Sequence, residues 1–481
     1  GYIAIGFLTM GKTLEPLLGL DLYTIIFIVA IISGIYITFG GQTAVIFTDL
    51  AQGFILIFAG ILVFLMGVNY VGGFSAFWNA LSPEFKLPLA HFNHPANFNF
   101  VGIFWQDGVA GSVGFLFMNQ GLIMRFMACK SVHEGRKAAA FNVLVLLPIS
   151  TIVVSNAGWT GKAISIVTPE AWNAATKLDH VFTQVAYLIT GSEVVFAFVI
   201  AAVAAALMST VDTLINAVAA VVINDIYRPL VKGKDDKHYL KIAMIVSAGA
   251  TVLGAVSTIF FNNFPTLYEA HGFFHSTMTP PLVVAIFLGI FWKRYNTPAA
   301  LATFLGGAVL MAIGGKYPEI FISPFDHGIE FNPERPYSYI RALYNTLVCA
   351  GSGVIVGLLT TPPTEMKTEG LTVWSLDKTR EFFKGSAPND RPGQSIKVQW
   401  ALKEGDKDTV GFSINDMEVM AADVGDLVYL ADERKWLGGL KSIHSVYGDP
   451  HTEDGTVYIT QAHVEMGMFD PERKLRAEKE L

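Results

Sequence analysis

The sequence predicts an all-α multi-pass membrane protein that ends in a small β-rich soluble domain. Three observations lead there. Of the 481 residues, 52% are apolar and only 15% are Asp, Glu, Lys or Arg, against about 25% charged in soluble proteins. The charges are unevenly placed: residues 361–481 hold 22 acidic and 15 basic side chains, and residues 1–360 hold 18 of each. The net charge of −7 therefore belongs to the last quarter of the chain. The first three quarters read neither as a soluble enzyme nor as a basic surface for nucleic acid. Apolar runs of about 20 residues, the length that crosses a ~30 Å hydrocarbon core, recur throughout residues 1–360.

Taken in order, candidate spans fall at roughly 2–19, 22–39, 45–69, 103–124, 139–158, 194–223, 240–261, 267–292, 297–314 and 338–360. That is ten, the first one partial. Pro148 and Pro280–Pro281 lie inside spans, where membrane helices tolerate them. Gly1 stands inside an apolar run, without initiator Met or a signal-peptide n-region, so the chain reads as a fragment lacking its N-terminal helices. Basic residues cluster in alternate loops: Arg125, Lys130, Arg136 and Lys137, then Arg228, Lys232, Lys234 and Lys237, then Lys293 and Arg294. The intervening stretch 70–101 has only Lys86, and 262–267 has none. The positive-inside rule then puts the C-terminus in the cytoplasm.

Residues 179–191 read as a short amphipathic surface helix, and 316–337 as a polar external loop. After a linker at 361–394, the alternating β-branched and aromatic stretches VGDLVYLADER and DGTVYITQAHVEM predict a cytoplasmic soluble domain over 395–481. Its ending, PERKLRAEKEL, reads as a solvated helix, and no internal repeat is visible. Cys129 and Cys349 are the only cysteines, which excludes a disulfide framework or a cysteine metal site.

Polar residues inside membrane helices are costly, so each is a candidate for function. In AALMSTVDTLINA, residues 205–217, Ser209, Asp212 and Thr213 fall at i, i+3 and i+4 on one helix face, with Thr210 at its edge and the Ala206 carbonyl one turn earlier. Hydroxyls, a carboxylate and a carbonyl are hard oxygen ligands suited to a small hard cation. The competing reading is hydroxyl back-bonding to the i−4 carbonyl or close helix packing. In GGQTAVIFTDLAQG, residues 40–53, Gly40–Gly41 allow a tight turn and Asp49 follows in the next helix, as a cation ligand or as an acid favoured by the helix dipole. In FMNQGLIMR, residues 117–125, Asn119 and Gln120 face either a solute cavity or a neighbouring helix, and Arg125 reads as a snorkelling anchor. His271 and His275 have metal-compatible spacing but no evident carboxylate partner, and read as interfacial. No P-loop, H-E-x-x-H, CxxC or G-x-S-x-G is present, so neither an enzyme nor an ATP-driven machine is predicted.

GGQTAVIFTDLAQ, NQGLIMR with the following CKSVHEGRKA, AALMSTVDTLINA with NDIYRP, and LGIFWKRYNTPAA, in that order, resemble the sodium:solute symporter family over about residues 1–360. The resemblance implies a five-plus-five inverted-repeat bundle, here lacking its first helices. It also implies alternating access, with Na+ as co-transported ion and a small organic solute bound near the midplane. It assigns Ala206, Ser209 and Thr210 to half of a sodium site. Asp49, Asp212 and Thr213 are assigned to a second cation site, in which Asp212 replaces the usual hydroxyl. Asn119, Gln120 and Tyr268 fall to the solute. Where sugar-transporting members carry a gating tyrosine, a lysine and a glutamine, this chain has Gly121, Leu144 and Tyr268. The expected function is sodium-coupled symport, most simply of a sugar or sugar derivative. The alternative is a sensor that signals through the C-terminal domain.

Overall fold

The computed structural model describes all residues except 87–98, 128, 130–131, 329–336, 338, 376–390, 392, 407, 435–440 and 481. Parts of the predicted 70–101 and 316–337 loops and of the 361–394 linker, together with Lys130, fall outside the described residues. Two compact units emerge. One comprises Gly1–Arg125, Asn142–Ile286 and Thr297–Val356, and the other Phe126–Phe141, Phe287–Asn296 and Gly357–Leu481.

The main helices are α1 (Tyr2–Leu18), α2 (Leu22–Tyr70), α3 (Phe100–Met118), α4 (Gln120–Met127), α5 (Glu134–Val167), α6 (Val181–Thr190), α7 (Glu193–Leu230), α8 (Asp236–Phe261), α9 (Leu267–Phe291), α10 (Thr297–Lys316) and α11 (Arg341–Leu359). Among the described residues eight are long and apolar enough to cross a membrane, or nine if one bent pair counts as a single span. The bent pair is Tyr2–Leu18 with Leu22–Ile35, which meet at 119°. Gly19 takes a left-handed conformation at φ 64°, open to glycine without a Cβ penalty. Asp21 then caps α2 by accepting from Tyr23 N at 3.0 Å and Thr24 N at 3.2 Å. The turn expected at Gly40–Gly41 is absent, because α2 continues as helix from Leu22 to Tyr70. A mid-helix glycine costs about 1 kcal/mol, less than leaving backbone groups unpaired in apolar surroundings.

α1, α2, α7 and α8 share a core of Phe7, Leu8, Met10, Ile25, Ile37, Val211, Ile215 and Phe261. Large apolar side chains such as Phe54, Phe58, Leu65 and Leu253 remain exposed on the same helices, as lipid-facing positions require. α3 is irregular: Phe104–Gly114 is a π-helix, a widening that often marks functional positions. The 179–191 stretch is the short helix α6, at ten residues too short to span.

The C-terminal region, considered by itself, is a six-stranded mixed sheet in the order β2-β4-β3-β6-β1-β5. Its strands are β1 (Ile396–Leu402), β2 (Thr409–Val410), β3 (Leu427–Asp432), β4 (Ser442–Tyr447), β5 (Thr456–Ile459) and β6 (Leu475–Lys479), with α12 (Ile414–Val419) and α13 (Gln461–Gly467) between them. Just past β2, Gly411 forms an isolated antiparallel bridge to Tyr458 of β5, exchanging backbone hydrogen bonds of 3.0 and 2.8 Å. The ending read as a solvated helix is instead β6, paired antiparallel to both β3 and β1. Leu475 and Ala477 are buried while Arg476 and Glu478 are less so, a period of two that belongs to a strand.

An internal repeat also emerges, against the sequence reading. β1-β2-α12-β3 and β4-β5-α13-β6 are the same strand–strand–helix–strand unit, shifted by 47 residues from Thr409 to Thr456. Ser413 caps α12 and Thr460 caps α13. Ala421 and Met468, just past the two helices, take φ of 50° and 49°. The parallel pairs β1–β5 and β2–β4 are each other's counterparts, so the two units swap strands about a pseudo-twofold axis.

Candidate functional site

Three helices build the site. α7 carries Ser209, Thr210, Asp212 and Thr213, α2 brings Asp49, and α4 brings Arg125. Ser209 Oγ donates to Asp49 Oδ1, and Thr213 Oγ1 lies 3.3 Å from Asp49 Oδ2. Because Ser209 gives its proton to the carboxylate, its oxygen lone pairs stay available to a cation. Thr210 back-bonds to the Ala206 carbonyl at 3.3 Å. The structure thus brings Asp49, Ser209 and Thr213 together, with Ala206 and Thr210 on the adjacent edge of the same helix. Asp212 shares no hydrogen bond with this set. It is fully buried and neither carboxylate oxygen has a hydrogen-bond partner.

Arg125 corrects the sequence reading of a snorkelling anchor. It pairs with Asp49, donates to Thr213 Oγ1 at 2.6 Å and reaches back to the Gly121 carbonyl at 3.1 Å. The side chain is 30% exposed and that of Asp49 13%. Gly121 allows the close approach of α4 to α7: a Cβ there would overlap the Thr213 methyl. The side chain that sugar-transporting members place here has no room, so glycine at this position follows from packing.

Asn119 marks the break between α3 and α4, and its Oδ1 caps α4 by accepting from Leu122 N at 3.2 Å. Gln120 opens α4, half-buried. A cavity of about 440 Å³ is lined by Asn119, Arg125, Ser209, Thr210 and Thr213, and also by Tyr2, His271 and His275.

A second polar cluster was not anticipated. Asp107, in the π-helical part of α3, accepts a hydrogen bond from the Tyr268 hydroxyl, and its Oδ1 lies 3.2 Å from His275 Nδ1. The other ring nitrogen of His275 is hydrogen-bonded to the Tyr2 hydroxyl, and the His271 ring packs 4.2 Å away, centroid to centroid. His275 is therefore a buried, carboxylate-paired residue and not an interfacial one. An aspartate inside a predicted span is the signal for this cluster in the sequence. Among the described residues no three His, Cys, Asp or Glu side chains are placed to hold a metal ion.

The hydroxyl residues Ser209, Thr210 and Thr213 line the 440 Å³ cavity, and Ser209 and Thr213 contact the Asp49 carboxylate inside a bundle of apolar helices. The profile of the sodium:solute symporter family matches residues 1–307, and the chain belongs to that family. It is 24% identical over 311 residues to the sodium/glucose cotransporter of Vibrio parahaemolyticus, covering 60% of this chain and 56% of the relative. It is 26% identical over 325 residues to the osmoregulated proline transporter OpuE of Bacillus subtilis, covering 65% and 61%. The chain thus spans less than two thirds of the length of these relatives. The fold is similar to that of a Na+-coupled sialic acid symporter in a substrate-bound outward-open state, with a TM-score of 0.59 at 19% identity over 76% of this chain and 75% of that one.

Proposed function

We propose that this protein is a sodium-coupled secondary active symporter for a small organic solute, working by alternating access on a five-plus-five inverted repeat. The observation that carries the reading is the oxygen set on α7 and α2, where Ser209 and Thr213 converge on Asp49 inside apolar helices. Ala206, Ser209 and Thr210 would hold sodium as cargo through a carbonyl and two hydroxyls whose lone pairs remain free. Asp49 and Thr213, with Asp212 behind them, form a second cation-binding set. The 440 Å³ cavity beside this face has the size of a small-solute pocket; Asn119 lines it, while Gln120 and Tyr268, the other two solute contacts proposed, lie outside its lining.

Relatives named for glucose, proline and sialic acid support symport of small polar solutes, and a sugar or sugar derivative remains the reading proposed for this chain. The protein would lie in the cell membrane, with residues 1–360 as the bundle, 361–394 as linker and 395–481 as a cytoplasmic domain, oriented by the alternation of basic loops. The test is uptake by the full-length protein in proteoliposomes. An inward sodium gradient should drive accumulation of one solute from a panel of sugars, sugar acids, amino acids and short carboxylates, and a potassium gradient should not. Equal accumulation under both gradients would refute sodium coupling.

A further inference from the structure

α9, α10 and α11 enclose another cavity, of about 590 Å³, which shares no lining residue with the one beside Ser209. Thr277 and Pro281 of α9, Ala308 and Ala312 of α10, and Arg341 and Asn345 of α11 line it as pairs four residues apart, so each helix gives it one face. Its walls are mostly apolar. Met278 and Leu282, near the middle of α9, and Phe304, near the middle of α10, are all more than a third exposed. The cavity therefore opens at the depth of lipid chains and away from water. His275, two residues from both Phe273 and Thr277, faces the other cavity, so α9 stands between the two.

Prolines shape the wall. Pro280 and Pro281 have no N–H, so the Ser276 and Thr277 carbonyls lose their usual helical donors. Asn345 Nδ2 donates to the Ser276 oxygen at 2.6 Å and ties α11 to α9. Gly315 faces open space, with nothing within 4 Å of the position a Cβ would take. Arg341 is the one charged side chain among the described residues lining the cavity, half-buried at the first turn of α11. Lys316 and Glu319, close to Gly315 in sequence, do not line it. A permanently charged guanidinium at one end of an apolar chamber matches an amphiphile with an anionic head and a hydrocarbon chain. We propose that this cavity binds one anionic phospholipid, with its headgroup phosphate on Arg341 and an acyl chain running between α9 and α10 past Pro281. The inference needs only a bundle in a bilayer, and it stands whatever ion or solute is carried.

The test is native mass spectrometry of the full-length protein, stripped of lipid in detergent and titrated with phosphatidylglycerol or phosphatidylcholine. The first phosphatidylglycerol should bind on the order of fivefold more tightly than the first phosphatidylcholine, the preference one basic residue gives near an anionic headgroup. Arg341→Gln should make the two lipids equal. Gly315→Leu changes no charge and grows into the open space, and it should abolish the tight first binding event. Equal binding of both lipids by the wild type would overturn the inference, as would a preference that survives Arg341→Gln. A folded wild type with no tight first lipid would overturn it too, since the cavity would then be filled by the chain itself. Should Arg341→Gln fail to fold, an undiminished preference in Gly315→Leu would overturn it alone, because that change leaves every surface charge in place.

Discussion

Gly121→Ala tests the site through packing alone, since alanine brings no charge and no polar group. The added methyl would overlap Thr213 Cγ2 and would lie 3.2 Å from Asn119 Oδ1 and 3.5 Å from the Thr213 carbonyl oxygen. The nearest clashing atom is a side-chain methyl, so the relief closest to hand is rotation of Thr213 about χ1. That rotation carries its hydroxyl away from Arg125, now 2.6 Å distant, and from Asp49. Overpacking of this kind costs about 1–3 kcal/mol, and the lost charge-assisted hydrogen bond adds about 1.5–3 kcal/mol if nothing replaces it. Thermal unfolding in detergent should therefore show Gly121→Ala well below wild type. Thr213→Ser removes the offending methyl and keeps the hydroxyl, so Gly121→Ala with Thr213→Ser should recover most of the loss, a coupling of 1 kcal/mol or more at order-of-magnitude precision. If Gly121→Ala matches wild type, or the double variant is no better than the single, the close approach of α4 and α7 is not what orders Thr213.

Other outcomes follow from the same geometry. Ser209→Ala should weaken sodium-dependent stabilisation and uptake on the order of tenfold, because it removes a cation ligand and the donor to Asp49 Oδ1; unchanged sodium dependence would move the site elsewhere. In the C-terminal domain, hydrogen bonds from the Arg434 side chain, with a lesser one from its backbone N–H, hold Asp432 down from 3.8 to about 2. A lowered carboxylate contributes stability above about pH 4 and loses it as pH falls through 2. Asp432→Asn should therefore lower stability at pH 7, and the gap to wild type should close in acid, read by circular dichroism across pH. Ala421→Gly and Met468→Gly should each stabilise by about 0.5–1 kcal/mol, since a left-handed side-chain residue costs more than the extra chain entropy of glycine. Lys479→Met should lose about 3–5 kcal/mol, because it strips the buried Asp426 of its cation at 3.3 Å.

The helices were legible because a bilayer imposes length and apolarity on each span separately, a constraint that local sequence carries. Composition alone does not show the bend at Gly19–Asp21, where a left-handed cap and an Asp N-cap join two apolar runs at 119°. The face of α7 was legible from helical spacing. Its partners were not: Asp49 lies 160 residues from Ser209, and Arg125 lies 76 from Asp49. No periodicity links such positions, and the resemblance named Asp49 but gave no reason to move Arg125 off the membrane interface. Nor did it separate Asp212 from the Asp49 set, because i, i+3 and i+4 share a face only to within tens of degrees.

The repeat in the C-terminal domain is hidden in the sequence for a different reason. Few identities survive between the halves, among them Thr409 with Thr456, Val410 with Val457, and Glu418 with Glu465. What persists is geometry at points where the backbone has few choices. The N-cap stays a hydroxyl, Ser413 or Thr460. The third helical position still supports it, with the Asp416 backbone N–H donating to Ser413 in one half and His463 completing a capping box with Thr460 in the other. The exit stays left-handed at Ala421 and Met468, although neither residue is suited to that conformation. Strand interiors can exchange Phe412 for Ile459 as long as the core stays filled, but a cap or a left-handed exit sets the direction of the next strand. Two units that exchange strands must match those directions, so the two halves share their caps and exits more closely than the side chains between them.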